Sequence, residues 1–320
     1  MLFLREELLF LALHHHTKRI IYICSMIIKE IINIQDDRVS NALKPLVCIM
    51  NLINNSEDNE VIFDCSDIQF VSPLFIVSLM LYLKSCGKNV EIVNISQYLD
   101  TVRFKKPLKP DEISNQTFLS LMGCQEYKSY IPVISFPASS NRAKDKDAIL
   151  TTIESILCSK LNIASNVSYG LKYIIGEMVD NISEHSESER GYIFAQYYKT
   201  KKYFDLCIAD EGIKLYGSFN KAGIEVEDDI EAMKAANKCM SSKNLPDAEN
   251  RGYGIFTSKK MLITGLGGQY MMMSGSALYL KDNTTDQFLN MPNNLKFDGT
   301  IIALRFPTQK EGFDYSKYFE

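Results

Sequence analysis

The segment 176–186, GEMVDNISEHS, constrains the fold most, because its pattern is that of a helix with two different faces. Helical spacing places Glu177, Asn181 and Glu184 on one side. The opposite side carries apolar residues, namely Leu171, Ile174, Ile175, Met178 and Ile182. Such a helix buries its apolar face in a core and leaves the polar face available for chemistry.

The polar face of this helix offers two groups one helical turn apart. Asn181 carries a neutral oxygen that can bind Mg²⁺, and Glu177 can orient or deprotonate a nucleophile. The alternative is an ordinary amphipathic helix with a solvated polar face. A two-residue pattern does not decide between these interpretations.

Length and charge narrow the classes of protein. The 320 residues can form two domains with separate cores. The net charge of -4, without a long Lys/Arg run, argues against a nucleic-acid partner and favours protein or small-molecule partners. Eight cysteines without a CxxC pair predict reduced core residues in a cytoplasmic protein.

The first 40 residues are the hardest to assign. Charged residues interrupt the apolar run 1–13, and the run 20–28 is too short to span a bilayer. Neither pattern predicts a membrane span or a signal peptide. Residues 1–40 are therefore assigned to an extension of uncertain status, and both Met1 and Met26 remain open as the start.

A strand–helix–strand pattern follows the extension. Apolar runs predict strands over 44–50 and 61–65, and the segment 74–83 predicts a helix that is apolar on nearly every side. A further strand is predicted over 89–94. This order indicates a small α/β domain with a parallel sheet.

These residues resemble the STAS family over roughly 41–104, through VIFDCSDIQFVSP, the apolar helix and KNVEIVN. In signalling members a phosphorylatable Ser or Thr caps the helix. Here Ser72 stands at the Asp-like position, and Pro73 and Leu74 replace the phosphoacceptor region. Ser72 is therefore expected to be a structural N-cap.

Residues 105–145 are predicted to connect two domains. KKPLKPDE is rich in proline and charge, a short helix is predicted over 115–122, and SYIPVISFP predicts a strand. The polar segment 138–147 has the composition of an exposed linker. We place the domain boundary there.

Helical spacing resumes at 148, and two strands follow the two-faced helix, over 191–199 and 202–210. Asp210 is the last residue on the face of the second strand that is predicted to be buried, and the chain is predicted to turn at Gly212. An aspartate buried at such an edge can accept a hydrogen bond from an exocyclic amine such as that of adenine. A turn aspartate exposed to water is the alternative.

The remaining segments complete a second domain. Helices are predicted over 228–240 and 255–263, a hairpin turns at 274–275, and a last strand covers 298–307. Gly252 and Gly254 precede the second helix, where backbone N–H groups can approach phosphate, although a tight turn would explain them equally. The pattern predicts a two-layer α/β sandwich with a mixed, largely antiparallel sheet.

Four weak signals occur in one order in this region. They are Glu177 with Asn181, Asp210 with Gly212, Gly252 with Gly254, and Gly299 with Thr300. Together they resemble the GHKL superfamily of histidine kinase-like ATPases over roughly 147–307, most closely the anti-sigma-factor serine kinases. One position departs, because Lys214 stands where the second glycine of the family's Asp-x-Gly-x-Gly motif belongs.

The resemblance implies a site for ATP and Mg²⁺. In it, Asn181 would hold Mg²⁺, Glu177 would be the general base and Asp210 would bind the adenine amine beside Gly212. The remaining nucleotide contacts would come from Arg251, Gly252, Tyr253, Gly254 and Thr300. Ser241, Ser242 and Lys243 fall in the ATP lid. His185 lies on the nucleotide helix, so we do not interpret it as a phosphoacceptor.

The sequence thus predicts a STAS-like domain (41–104), a connector (105–145), a GHKL-type ATP-binding domain (146–310) and a tail (311–320). The expected protein is a cytoplasmic regulator without a membrane span that acts on a protein partner. A serine/threonine kinase, a weak ATPase and a non-catalytic nucleotide-gated interaction module remain open as its activity. Monomer and homodimer both remain open.

Overall fold

A computed structural model of the chain describes residues 20–21, 38–66, 68, 70–124, 128–138, 151, 165–238, 253–292, 295–307 and 313–318. Their strands form a parallel sheet of three strands and an antiparallel sheet of seven. This part of the chain is therefore mixed α/β, as expected. None of its helices is long and apolar enough to cross a membrane.

The parallel sheet joins two strands of the predicted strand–helix–strand unit to a short strand from the N-terminal extension. Its strands, in spatial order, are β1 (Ile20–Ile21), β2 (Glu60–Asp64) and β3 (Asn89–Val93). Helices α1 (Leu43–Asn54) and α2 (Pro73–Ser85) flank β2 in sequence. Ser72 accepts a hydrogen bond from the N–H of Phe75, which confirms it as the N-cap of α2.

The strand predicted over 44–50 is wrong, because this segment belongs to α1. Leu46, Ile49, Met50 and Ile53 are fully buried at intervals of three or four residues. That spacing lies on one face of a helix, and the burial of this face favours the helix over the strand.

The antiparallel sheet forms the centre of the C-terminal half. Its spatial order is β4 (Tyr130–Pro137), β5 (Arg190–Tyr198), β6 (Tyr203–Asp210), β10 (Phe297–Pro307), β7 (Gln269–Gly275), β8 (Ala277–Lys281) and β9 (Asp286–Asn290). The helices that complete the described chain are α3 (Gln97–Thr101), α4 (Asn115–Gly123), α5 (Ser165–His185), α6 (Lys214–Lys221), α7 (Asp229–Asn237) and α8 (Tyr253–Lys260). A π-helical turn, Met261–Gly265, continues α8.

Both faces of the antiparallel sheet are covered. Alternate residues of β6 show this: Leu206 and Ile208 belong to a buried cluster with α5, whereas Cys207 and Ala209 belong to a cluster with α2. The two-layer sandwich predicted for residues 146–310 is therefore covered on its second face as well. The physical reason is α2, whose residues 73–83 are all buried because it is apolar all round.

Most other predicted elements are confirmed with small changes of bounds, including α4, β4, β5, β6, α7, α8, the β7–β8 hairpin and β10. Strand β4 lies within the predicted connector, yet it is an edge strand of the large sheet. The helix predicted from 148, the lid residues 241–243 and most of the N-terminal extension lie outside the described residues.

Candidate functional site

Helix α5 carries the first two candidate residues. Its apolar face packs on the sheet, while Glu177 and Asn181 are half-buried. The side-chain amide of Asn181 donates a hydrogen bond to the backbone oxygen of Glu177, with an N–O distance of 2.7 Å. This bond uses one N–H of the carboxamide and leaves the oxygen, the atom that could bind a cation, out of the bond.

Glu177 is held on two sides. The hydroxyl of Tyr173, one turn earlier on α5, donates a hydrogen bond to its carboxylate. Burial, together with that carboxylate, raises the pKa of Tyr173 to about 12. Gly254 of α8 lies so close that a Cβ atom there would overlap Oε2 of Glu177. The structure thus places the predicted base directly against Gly254, one of the predicted phosphate contacts.

Asp210 ends β6 with its side chain buried at 3% exposure, so the alternative of a water-exposed turn aspartate is excluded. The backbone N–H of Gly212 donates to Oδ1 at 2.8 Å, and the N–H of Thr300 also donates to the carboxylate. Burial outweighs these two hydrogen bonds and raises the pKa of Asp210 to about 7. Within the described ranges, the two N–H donors do not offset the cost of burying this carboxylate.

Two glycines bring other backbone segments against Asp210. At Gly212 a Cβ atom would overlap the backbone oxygen of Ser186, which also accepts a hydrogen bond from the N–H of Ile213 at 2.8 Å. At Gly299, with φ +96°, a Cβ atom would overlap the backbone oxygen of Asp210. The C-terminal end of α5, the turn after β6 and the start of β10 therefore meet at one place.

Thr300 has a second role beside its backbone N–H. Its hydroxyl lies 3.0 Å from the hydroxyl of Ser274, which accepts a hydrogen bond from the N–H of Leu215 at 3.1 Å. Ser274 therefore ties the strand that carries Thr300 to the start of α6. Ser274 and Ser186 are not apparent from the sequence, because each acts through a contact between segments distant in sequence. Tyr173 lies only one helical turn before Glu177, and that spacing could have identified it.

Lys214 occupies the position at which the resemblance expects a glycine. Its φ of +67° lies in the left-handed region, which glycine adopts at the least cost. The backbone therefore has a glycine-like conformation although the residue is lysine.

Replacing Lys214 by glycine is expected to leave the free energy of unfolding unchanged or to raise it by about 0.5 kcal/mol, because relief of the left-handed strain outweighs the added freedom of the unfolded chain. Lys234→Gly, in the middle of α7, is the matched control and is expected to cost about 1 kcal/mol. Urea denaturation measures both. An equal loss in the two variants would contradict the strain assigned to Lys214.

The other predicted site residues are only partly described. Arg251 and Gly252 lie outside the described residues, and Tyr253 is described only as the first residue of α8. His185 lies at the end of α5, with Nε2 4.0 Å from a carboxylate oxygen of Glu184. The described candidates thus form two groups that contact different parts of α5. Gly254 lies against Glu177 within the helix, whereas Asp210, Gly212 and Thr300 lie near Ser186, just after its C-terminal end. Asn181 lies between these groups along the helix.

No protein-family model and no curated protein matches this chain.

Proposed function

We propose that residues 146–310 bind ATP with Mg²⁺ in the manner of the GHKL ATPases, and that they act on a protein partner under the influence of the STAS-like unit. The observation that carries this proposal is the environment of Asp210. A buried carboxylate that is only partly satisfied by two N–H donors gains stability from a further donor. The exocyclic amine of adenine supplies such a donor.

The donor groups on α5 also suit a nucleotide with its metal. Asn181 has a carboxamide oxygen available, and oxygen ligands are those that Mg²⁺ prefers. Gly254, at the start of α8, has no side chain, so the Glu177 carboxylate can lie directly against its backbone. When bound, Mg²⁺ would neutralise negative charge on the phosphates.

As a protein kinase, the chain would use Glu177 to accept the proton of a serine or threonine hydroxyl on the partner. Tyr173 and Gly254 hold this carboxylate in place, and positioning is the main requirement of phosphoryl transfer. The proposed adenine contact, Asp210, is followed by a turn that packs against Ser186, just after the C-terminal end of the same helix.

The test is incubation of the full chain with radiolabelled ATP, Mg²⁺ and candidate protein partners. Glu177→Gln is expected to lower the rate of partner labelling at least about 100-fold, because it removes the proton acceptor, while ATP affinity changes little. Glu184→Gln is the matched control, since Glu184 is an exposed carboxylate on the same polar face of α5. Control and wild type are expected to label equally.

Labelling that persists in Glu177→Gln would contradict the role of Glu177. ATP binding by the wild type with no labelled partner and no phosphate release would instead support the nucleotide-gated interaction module.

A further inference from the structure

The last turn of α2 reaches the end of β6. The Lys84 ammonium lies 2.6 Å from Oε1 of Glu211, and the hydroxyl of Tyr192 donates to Oε2 at 2.6 Å. Lys84 also donates to the Tyr192 hydroxyl at 2.8 Å. These three side chains form a closed network between the STAS-like unit and the antiparallel sheet.

Glu211 directly follows Asp210, and the two side chains face opposite sides of the sheet. Strand alternation places Asp210 with Ile208, on the side of α5, and Glu211 with Ala209, on the side of α2. One turn therefore carries the proposed adenine contact on one face and the contact with the other unit on the opposite face.

We propose that Lys84 is a positioning residue for the nucleotide site, which holds the turn of Asp210 and Gly212 through Glu211. This inference rests on the proposed function. The backbone supports it, because Gly299 packs so closely on Asp210 and Glu211 that a Cβ atom there would overlap the backbone of both residues. The N–H of Glu211 also donates to the hydroxyl of Ser188 at 3.3 Å.

The charges of this network favour an ion pair between Lys84 and Glu211. Burial alone would lower the pKa of Lys84, but hydrogen bonds to Glu211 and Tyr192 raise it on balance, so Lys84 stays charged. The Lys84 side chain is 51% exposed and that of Glu211 is 29% exposed, so added salt weakens their attraction. Tyr192 is buried and fixes the geometry.

The experiment measures ATP affinity by calorimetry and amide hydrogen exchange at Gly212 in wild type and variants. Lys84→Met is expected to weaken ATP binding about tenfold and to speed exchange at Gly212 about tenfold, since the turn loses its outer support. Lys84→Arg, which keeps the charge, is expected to restore most of the affinity. High salt is expected to reduce the difference in ATP affinity between Lys84→Met and the wild type, because it weakens the attraction between Lys84 and Glu211 in the wild type.

Lys88→Met is the matched control. Lys88 belongs to the same unit and donates to the backbone oxygens of Ser56 and Asp58, not to Glu211. This variant is expected to lower the free energy of unfolding without changing ATP affinity. That result would show that the effect of Lys84→Met on ATP affinity does not come from a general loss of stability.

Two results would overturn parts of this account separately. Unchanged ATP affinity and unchanged Gly212 exchange in Lys84→Met would overturn the positioning role of Lys84 while ATP binding stands. Faster Gly212 exchange in Lys84→Met, in a protein whose wild type binds no ATP, would confirm the mechanical coupling and contradict the proposed function.

Discussion

Asp210→Asn is expected to abolish ATP binding and at the same time to make the protein more stable above pH 7. The folded-state pKa of about 7 lies above the ordinary value of 3.8. Between these values the unfolded chain binds fewer protons than the folded chain, so the free energy of unfolding falls as pH rises through this window. Above pH 7 the ionised carboxylate costs about 4 kcal/mol.

An asparagine removes this cost but offers one acceptor oxygen to the two N–H donors of Gly212 and Thr300. The second donor loses its partner, which costs about 2 kcal/mol. The net gain in the free energy of unfolding is therefore about 2 kcal/mol at pH 8, and it turns into a loss of about 2 kcal/mol near pH 3, where the wild-type carboxyl is largely protonated in both states and only the cost of the unpaired donor remains. Urea denaturation at the two pH values measures it.

Asp205→Asn is the matched control, on the same strand. Asp205 is equally buried but forms two hydrogen bonds with the Arg305 guanidinium, both at 2.7 Å. Its replacement leaves a buried cation unpaired and is expected to cost about 3–5 kcal/mol. If Asp210→Asn also lost stability at pH 8, the cost assigned to burying the ionised Asp210 carboxylate would be contradicted.

Gly212→Ala is expected to lower the free energy of unfolding by about 3 kcal/mol or more. The added methyl group would overlap the backbone oxygen of Ser186, and a backbone atom cannot move aside as a flexible side chain can. The C-terminal end of α5 and the turn after β6 would separate. Thermal denaturation followed by circular dichroism measures the loss.

Gly176→Ala provides the comparison within α5. Nothing lies within 4 Å of the added Cβ atom, so a helical alanine is expected to raise stability by about 0.5–1 kcal/mol. A Gly212→Ala protein as stable as the wild type would show that α5 and the turn do not pack as described.

Much of the fold follows from local patterns that can be identified in the sequence. The two faces of α5, the cap at Ser72 and the alternation in β6 all depend on residues close in sequence. Helix α1 was misassigned because a short apolar run is compatible with both a strand and a helix, and only its burial on one face decides. Strand β9 was missed because its residues are mostly exposed and lack alternation.

In the candidate site, too, local features can be identified in the sequence and tertiary contacts cannot. Residue type and spacing select Glu177, Asn181 and Asp210 as candidates, and the resemblance to the GHKL superfamily supplies the roles predicted for them. The contacts of Gly254 with Glu177 and of Lys84 with Glu211 could not be identified, because they join segments whose approach depends on tertiary packing. The covering of the sheet by α2 was missed for this reason as well.

The most direct test of the central claim is calorimetric titration of the full chain with ATP and with inosine triphosphate, each with Mg²⁺. We predict saturable binding of ATP and at least about tenfold weaker binding of inosine triphosphate, which lacks the exocyclic amine that would donate a hydrogen bond to Asp210. Equal affinity for both nucleotides, or no saturable binding of ATP, would contradict the central claim.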